Sequence, residues 1–474
     1  MVADARLGRI KHIHFIGIGG VGMAGIAEVL LTQGYHVSGS DLSNNSLAQR
    51  LNDMGAVFHQ GHDARYVDGA NVVVVSSAVK DDNPEVVEAK KKRIPIVSRA
   101  AMLAELMRFR HGIAIAGTHG KTTTTSLTAS LLTEAGLDPS FVIGGRLISA
   151  GSTARVGSSK YLVAEADESD ASFLLLNPLM AVVTNIDNDH LENYQGDFEK
   201  IKNAFLSFIH RLPFYGLAVV CLDDPIVRQL LPKFSRPTLT YGLSEDVDFQ
   251  LTAFDQKGTQ TSFTVKRKEG EDISLLLNMP GLHNALNATA ATIIALELGV
   301  DEATIQSALL HFQGVGRRFQ RYGDFTLPNG KVTLVDDYAH HPKEVAGTLR
   351  AAKQSWPNRR IVAMFQPHRF TRTRDCFDHF CQVLSKSDAL ILLDVYSAGE
   401  DHIPNADSYS LARAIRERQQ VEPVVISDDD DLVSVLQSYL QDGDVLVTMG
   451  AGSVGSIAQQ LAQTRFTSES ASHA

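Results

Sequence analysis

Two stretches of this sequence place a short apolar run, a glycine-rich turn and a helical pattern in direct succession: HIHFIGIGGVGMAG, His12 to Gly25, and GIAIAGTHGKTTTTS, Gly112 to Ser126. A strand that turns at glycines into a helix leaves backbone N–H groups converging on one point at the positive end of the helix dipole. Junctions of this kind belong to α/β sheets with parallel strands, which excludes all-helical and all-β architectures.

The rest of the chain repeats the pattern. YHVSGSD, VVVVSSAV (Val72 to Val79) and IPIVSRA (Ile94 to Ala100) read as strands, with helices such as Met23 to Gln33 and the charged PEVVEAKKKR between them. YLVAEADESD and LMAVVTNIDNDH are apolar runs that end in acidic or polar residues, where strands would stop. From Phe249 to Leu277 the pattern alternates, as in an antiparallel hairpin. KVTLVDDY, RRIVAMFQ, ALILLDVY, EPVVIS and DVLVTMG, with helices between them, predict a parallel doubly wound sheet. A length of 474 residues exceeds one core. We therefore expect three α/β domains: a Rossmann-like domain over 1–108, a central P-loop ATPase-type domain over 109–315, and a doubly wound Rossmann-like domain over 316–474. The polar tail TSESASHA reads as disordered.

AGTHGKTTTT carries the parts of a phosphate-binding loop, although Ile115 stands where an early glycine is usual. Gly117 and Gly120 permit the turn, with Thr118 and His119 between them. Lys121 supplies a charge for the β- and γ-phosphates, the Thr122 hydroxyl suits magnesium, and Thr123 opens the helix. A magnesium nucleotide also needs side-chain ligands, and Glu165 and His190 stand at the ends of neighbouring strands. GIGGVG satisfies G-x-G-x-x-G with Gly17, Gly19, Gly20, Val21 and Gly22, and Asp41 follows where a ribose-binding acid belongs. On these residues alone an NAD-dependent oxidoreductase is a serious reading. The second loop favours a different use, in which the first loop anchors a diphosphate handle on a substrate, with Ser76 and Ser77 at a neighbouring strand end.

A net charge of −10 argues against non-specific binding to nucleic acid or an anionic membrane. Three cysteines, Cys221, Cys376 and Cys381, lack metal or redox spacing, and no run reaches the ~18 apolar residues of a membrane span. A cytoplasmic location is expected.

In order along the chain, GIGGVGMAGIAEVL, AGTHGKTTTT, AEADESD, TNIDNDHLENY, GLHNALNATAA, GRRFQ, DDYAHHPKE and PHRFTRT resemble the Mur ligase family, and most of all its alanine-adding branch. The resemblance implies an ATP- and Mg²⁺-dependent amide ligation in peptidoglycan synthesis, with UDP-N-acetylmuramate and L-alanine as substrates, by a monomer or weak homodimer. Its carry-over makes Lys121, His190 and Arg318 catalytic, and Thr122, Glu165 and His190 metal-binding. His283, Asn284 and Asn287 become the adenine pocket. Arg318 reaches the phosphates, although Arg317 or Arg321 could take that role, and Asp336 or Asp337 faces the ribose. His368, Arg369 and Arg372 take the amino acid. Several relatives carry a carbamylated lysine where Phe205 stands here, which speaks against a carbamate in this chain.

Overall fold

The computed structural model describes residues 7–76, 78–189, 191–427 and 431–467. Ser77, His190 and residues 468–474 of the tail lie outside the described residues. The chain divides into two compact units, one holding 1–253, 263–276 and 285–313, the other 254–262, 277–284 and 314–474.

The first unit opens with five parallel strands, β1 (His12–Ile16), β2 (His36–Asp41), β3 (Val57–Gln60), β4 (Val72–Val75) and β5 (Ile96–Ser98), in the order β3-β2-β1-β4-β5. The order reverses direction between β1 and β4, and such a reversal opens a crevice at the carboxyl ends of the strands. Gly17, Asp41 and Ser76 stand at that edge. The VVVVSSAV strand is shorter than its apolar pattern predicts. The Ser76 amide makes a last bond to the Ile16 carbonyl (3.2 Å) and its own carbonyl then closes a turn with Val79 (3.0 Å). β5 is shortened too, because the Ser98 hydroxyl caps the next helix, Arg99–Arg108, by accepting from the Ala101 amide (3.2 Å).

Ten strands form the second sheet: β6 (His111–Ala116), β7 (Ser140–Leu147), β8 (Ser152–Arg155), β9 (Tyr161–Glu165), β10 (Met180–Val183), β11 (Leu217–Cys221), β12 (Thr238–Gly242), β13 (Phe249–Lys257), β14 (Gln260–Arg267) and β15 (Ile273–Leu277). β6 lies between β9 and β10, parallel to both, so the ends of three strands meet at Ala116, Glu165 and Val183. The helix Val21–Thr32 of the first domain rests on β7 and β8. Gly25 makes that approach possible, since a Cβ there would stand 3.1 Å from the Ala154 side chain. Glu28 on the same helix reaches Arg50 (2.8 Å) and the Ser152 hydroxyl (3.3 Å). Phe205, buried against Phe173 and Phe208, fills core space.

The second unit is built on β16 (Gln320–Leu327), β17 (Gly330–Asp337), β18 (Ile361–Phe365), β19 (Ala389–Leu393), β20 (Pro423–Ile426) and β21 (Val445–Met449), in the order β16-β17-β21-β18-β19-β20. Five of these are the strands expected from sequence, and they run parallel. β16 is an addition, antiparallel to β17 at the sheet edge. Its largely exposed, polar sequence hides the strand from hydrophobic patterning. Along β18, Ile361, Ala363 and Phe365 join the core on one face, while Val362 and Met364 join the other. Helices on both faces bury these residues, as in a doubly wound sheet. No described helix is long and apolar enough to cross a membrane.

Candidate active site

Between β6 and the helix Lys121–Glu134 lie four residues, two of them glycines with positive φ: Gly117 (+130°) and Gly120 (+86°). The segment after β10 clamps this loop. Asn185 accepts from the His119 amide (2.8 Å) and donates to the His119 carbonyl (2.9 Å), while its own carbonyl accepts from Thr118 (3.0 Å). The Thr184 hydroxyl donates to the same His119 carbonyl (2.6 Å), and Thr118 Oγ1 accepts from the Asp187 amide (2.8 Å). Each glycine is demanded by a neighbour as well as by its φ. A Cβ on Gly117 would stand 2.0 Å from Thr184 Oγ1, and one on Gly120 would stand 2.6 Å from Asn287 Oδ1. Asn287 therefore borders the loop itself. Ile115, wholly buried in β6, shows where the missing glycine went: the strand simply runs further before the loop begins.

Replacing Gly117 by alanine therefore combines a collision with an unfavourable φ. The strain of ~2 kcal/mol should weaken ATP about thirtyfold. Calorimetric titration with a non-hydrolysable ATP analogue checks this, and unchanged affinity would mean that the clamp yields.

Lys121 stands at the first position of the helix. Its Nζ donates to the carbonyls of Gly117 (2.6 Å) and Thr118 (3.1 Å) and forms an ion pair with Glu168 (2.9 Å). Burial works against the ammonium, but the charges of Glu168 and Asp167 outweigh it and raise the Lys121 pKa. The lysine is thus held charged and directed at the loop. Glu165 ends β9 opposite Ile115, and its Oε1 accepts from the Gly144 amide (2.7 Å). Thr122, buried in the first turn of the same helix, follows Lys121 directly. Glu168 and the Thr184–Asn185 clamp went unrecognised in the sequence. They stand in AEADESD and TNIDNDH, but several acidic and amide residues crowd those segments, and spacing does not say which turn inward.

In the first domain, the amides of Gly17 (φ +83°) and Ile18 both donate to the Ser40 carbonyl (2.8 and 3.0 Å). The Gly19 amide donates to Asp41 Oδ2 (2.9 Å), and Asn45 donates to the Gly19 carbonyl (3.0 Å). Asp41 is therefore a brace for the glycine loop. The helix Val21–Thr32 then starts from Gly20 with no side-chain cap, which leaves its first amides directed outward. Ser76 borders Gly17, and Arg99 borders Gly22. Both also line a cleft of about 510 Å³ with Lys80, Lys90, Ser98 and Ser172. Arg99, another residue that sequence reasoning missed, reaches Asp167 (3.3 Å) beside the phosphate-loop lysine.

The second unit gathers a further set of groups at the carboxyl ends of its strands. Asp336, fully buried, pairs with Arg317 (3.1 Å) and accepts from the Thr448 hydroxyl (2.7 Å). Arg317 is thereby committed to the framework. The Arg318 guanidinium lies over the Tyr338 ring (5.1 Å to its centroid). Asp337 accepts from the amides of Phe319 (2.6 Å) and Ala339 (2.9 Å), and burial pushes its pKa up to about 6 against the pull of Arg318. Asn284 spends its side-chain amide on the Pro280 carbonyl (2.7 Å), while His283 is exposed at the head of its helix. Arg321 pairs with Asp324 at the surface.

His368, Arg369 and Arg372 follow β18. Arg369 has φ +70°, and its amide donates to the Tyr396 carbonyl (2.8 Å). The His368 ring stacks on Tyr396 (5.5 Å, 10°) and lies 3.3 Å from the buried Arg372 guanidinium. Burial, then His340 and the arginines, push the His368 pKa down to about 3. A histidine depressed on folding contributes stability above its unfolded pKa of ~6.5 that is lost as pH falls toward the folded value. At pH 5 the loss is at most ~2 kcal/mol. Urea unfolding at pH 7 and pH 5 should show that acid penalty in the wild type and less of it in His368→Gln; equal penalties would place the imidazole in ordinary solvent.

Comparison with known proteins decides what these three clusters have in common. Residues 12–111 match the Mur ligase family catalytic domain, 115–295 the Mur ligase middle domain, and 317–452 the Mur ligase glutamate ligase domain. The chain belongs to the Mur ligase family. Among solved structures, it is similar to the UDP-N-acetylmuramate-alanine ligase of Thermotoga maritima, with 28% identity over 96% of this chain and 98% of that one and a TM-score of 0.82. It also resembles a murein peptide ligase from Psychrobacter arcticus (26% identity, 96% and 98% covered, TM-score 0.70). A third relative is the UDP-N-acetylmuramate:L-alanyl-gamma-D-glutamyl-meso-diaminopimelate ligase of Neisseria meningitides (31% identity, 65% and 100% covered, TM-score 0.60). Mur ligases are ATP-dependent enzymes of peptidoglycan synthesis, and the three-domain α/β architecture is that of the family.

Proposed function

We propose that this protein joins L-alanine to the lactyl carboxylate of UDP-N-acetylmuramate at the expense of ATP. The observation that carries the proposal is the charged Lys121, held over a glycine-bounded loop at the meeting point of three strands. The likeness to an alanine ligase along nearly the whole chain supports the choice of substrates. In this reading residues 1–108 hold the UDP moiety, 109–315 hold ATP, and 316–474 contribute to ATP and amino-acid binding, in the cytoplasm.

The loop amides and Lys121 grip the β- and γ-phosphates. A carboxylate oxygen of the muramyl substrate attacks the γ-phosphorus, the bond from that phosphorus to the β-bridging oxygen breaks, and ADP leaves. The uncharged amine of alanine then attacks the acyl phosphate, the amide forms, phosphate departs, and the nitrogen sheds a proton. Phosphoryl transfer of this kind depends on positioning and charge neutralisation more than on covalent help from the protein. Thr122 and Glu165, with His190 from the family pattern, would hold Mg²⁺, which supplies further neutralisation of phosphate charge. Arg318 adds a positive charge, Asp337 receives the ribose, and His283, Asn284 and Asn287 receive the adenine. Arg369 and Arg372 bind the alanine carboxylate while His368, kept neutral, gives shape to the pocket.

The relatives that ligate a peptide to the same UDP-sugar define the second reading. Phosphate release from ATP should be measured with UDP-N-acetylmuramate alone, L-alanine alone, both, and with glycine, serine or the tripeptide in place of alanine. Strong release only with both substrates, greatest with alanine, is expected. Preference for the tripeptide would move the protein to the other branch.

A further inference from the structure

Beneath the glycine loop of the first domain lies a polar network that none of the chemistry above uses. At its centre is Glu85, in the first turn of the helix Pro84–Lys91 and wholly buried, as is His14 on β1. Glu85 Oε2 meets His14 Nε2 at 2.6 Å, and Oε1 meets His62 Nδ1 at 2.7 Å. The Ser40 hydroxyl donates to both carboxylate oxygens (2.7 and 2.9 Å). On the far side of His14, Nδ1 meets Ser38 Oγ (2.8 Å), which also meets His12 Nε2 (2.7 Å). His36 packs against His12, and His59, stacked on Tyr66, completes the titratable groups around the cluster.

A carboxylate buried this deeply costs several kcal/mol unless it is fully bonded, and an apolar residue would hold the helix to the sheet at less cost. Three donors and the helix N-terminus supply the compensation. The arrangement ends on the loop: Ser40, whose hydroxyl holds Glu85, is the residue whose carbonyl receives the amides of Gly17 and Ile18. Donor order along His12, Ser38 and His14 can also reverse without moving a heavy atom, because a hydroxyl both gives and accepts.

We propose that Glu85 is a positioning residue for the glycine loop, acting through Ser40, and that this support sets how tightly the loop binds a nucleoside-diphosphate substrate. This rests on the reading that the glycine loop receives the UDP moiety. A glutamine at position 85 turns one acceptor into a donor that faces the His62 or His14 donor, and the loop loses its support.

The test is titration calorimetry of the full-length protein with UDP-N-acetylmuramate at a single fixed pH, together with steady-state kinetics. Glu85→Gln should raise both Kd and KM for the UDP-sugar at least tenfold, with the ATP KM and kcat within twofold of wild type. Ser40→Ala, which keeps the loop-binding carbonyl but loses the hydroxyl and folds more readily, should raise the same two constants about threefold. An unchanged UDP-sugar Kd in both variants, or parallel losses in ATP KM and kcat, overturns the positioning role. Failure of the wild type to bind UDP-N-acetylmuramate would instead remove the reading of the loop itself.

Discussion

Replacing Lys121 by alanine should lower the rate of phosphate release about a thousandfold, equivalent to ~4 kcal/mol of transition-state stabilisation, while UDP-N-acetylmuramate still binds within threefold of wild type. The lysine donates to two carbonyls of the loop, and a charge fixed in advance where negative charge develops is worth far more than one that must be recruited from solvent. The two effects separate because the first glycine loop, proposed to hold the UDP moiety, is braced by Ser40, Asp41 and Asn45, whereas Lys121 bonds to Gly117, Thr118 and Glu168. Loss of the ammonium also strands the buried Glu168, which on its own destabilises the fold. Adding Glu168→Gln to Lys121→Ala therefore serves as a control. Thermal stability should return in the double variant while turnover remains low. Recovery of turnover would show that the single substitution acted through folding, and equal loss of UDP-substrate binding would refute the division of labour.

Arg372 carries the second large expectation. Its guanidinium is buried beside His368 at the end of β18. A charge-assisted, two-pronged bond to a carboxylate in such a setting contributes ~2–3 kcal/mol, so Arg372→Ala should raise the alanine KM about a hundredfold with the ATP KM nearly unchanged. Lysine at the same position keeps the charge but not the fork and should recover only a small part of the loss. Initial rates over a wide alanine range at saturating ATP and UDP-sugar give the answer directly. If the ATP KM rises instead, Arg372 belongs to the phosphates.

Much of the fold was legible because burial on both faces forces strands such as VVVV and ALILL to be continuously apolar, and because glycine is favoured where φ is positive. GTHGK and GIGGVG were readable for the second reason. β16 was not, since an edge strand exposes one face and carries polar residues. Boundaries also slipped where a side chain ended a strand early, as Ser98 does by capping the following helix. Within the candidate site, Lys121, Thr122 and Glu165 were singled out by position relative to strand ends. Glu168, Asn185 and Arg99 were not, because their roles depend on which side chains turn inward from two loops and a helix start.

The acidic and basic pairs show the same division. GRRFQ offered three arginines and DDY two aspartates with nothing to rank them. Packing separates them: Asp336 pairs with Arg317 inside the sheet, Asp337 takes two backbone amides near Arg318, and Arg321 remains at the surface with Asp324.

By itself, then, the sequence determined the α/β class, the two glycine loops, the lysine that opens the helix behind the second of them, and the family, since each rests on local backbone geometry or on the order of short motifs. Tertiary structure alone decided which carboxylate holds Lys121, what clamps the phosphate loop, and that a buried glutamate with its histidines lies under the first loop. Those features join residues as far as 71 positions apart, as His14 and Glu85 are, and only the closing of the sheets brings such side chains within hydrogen-bond distance.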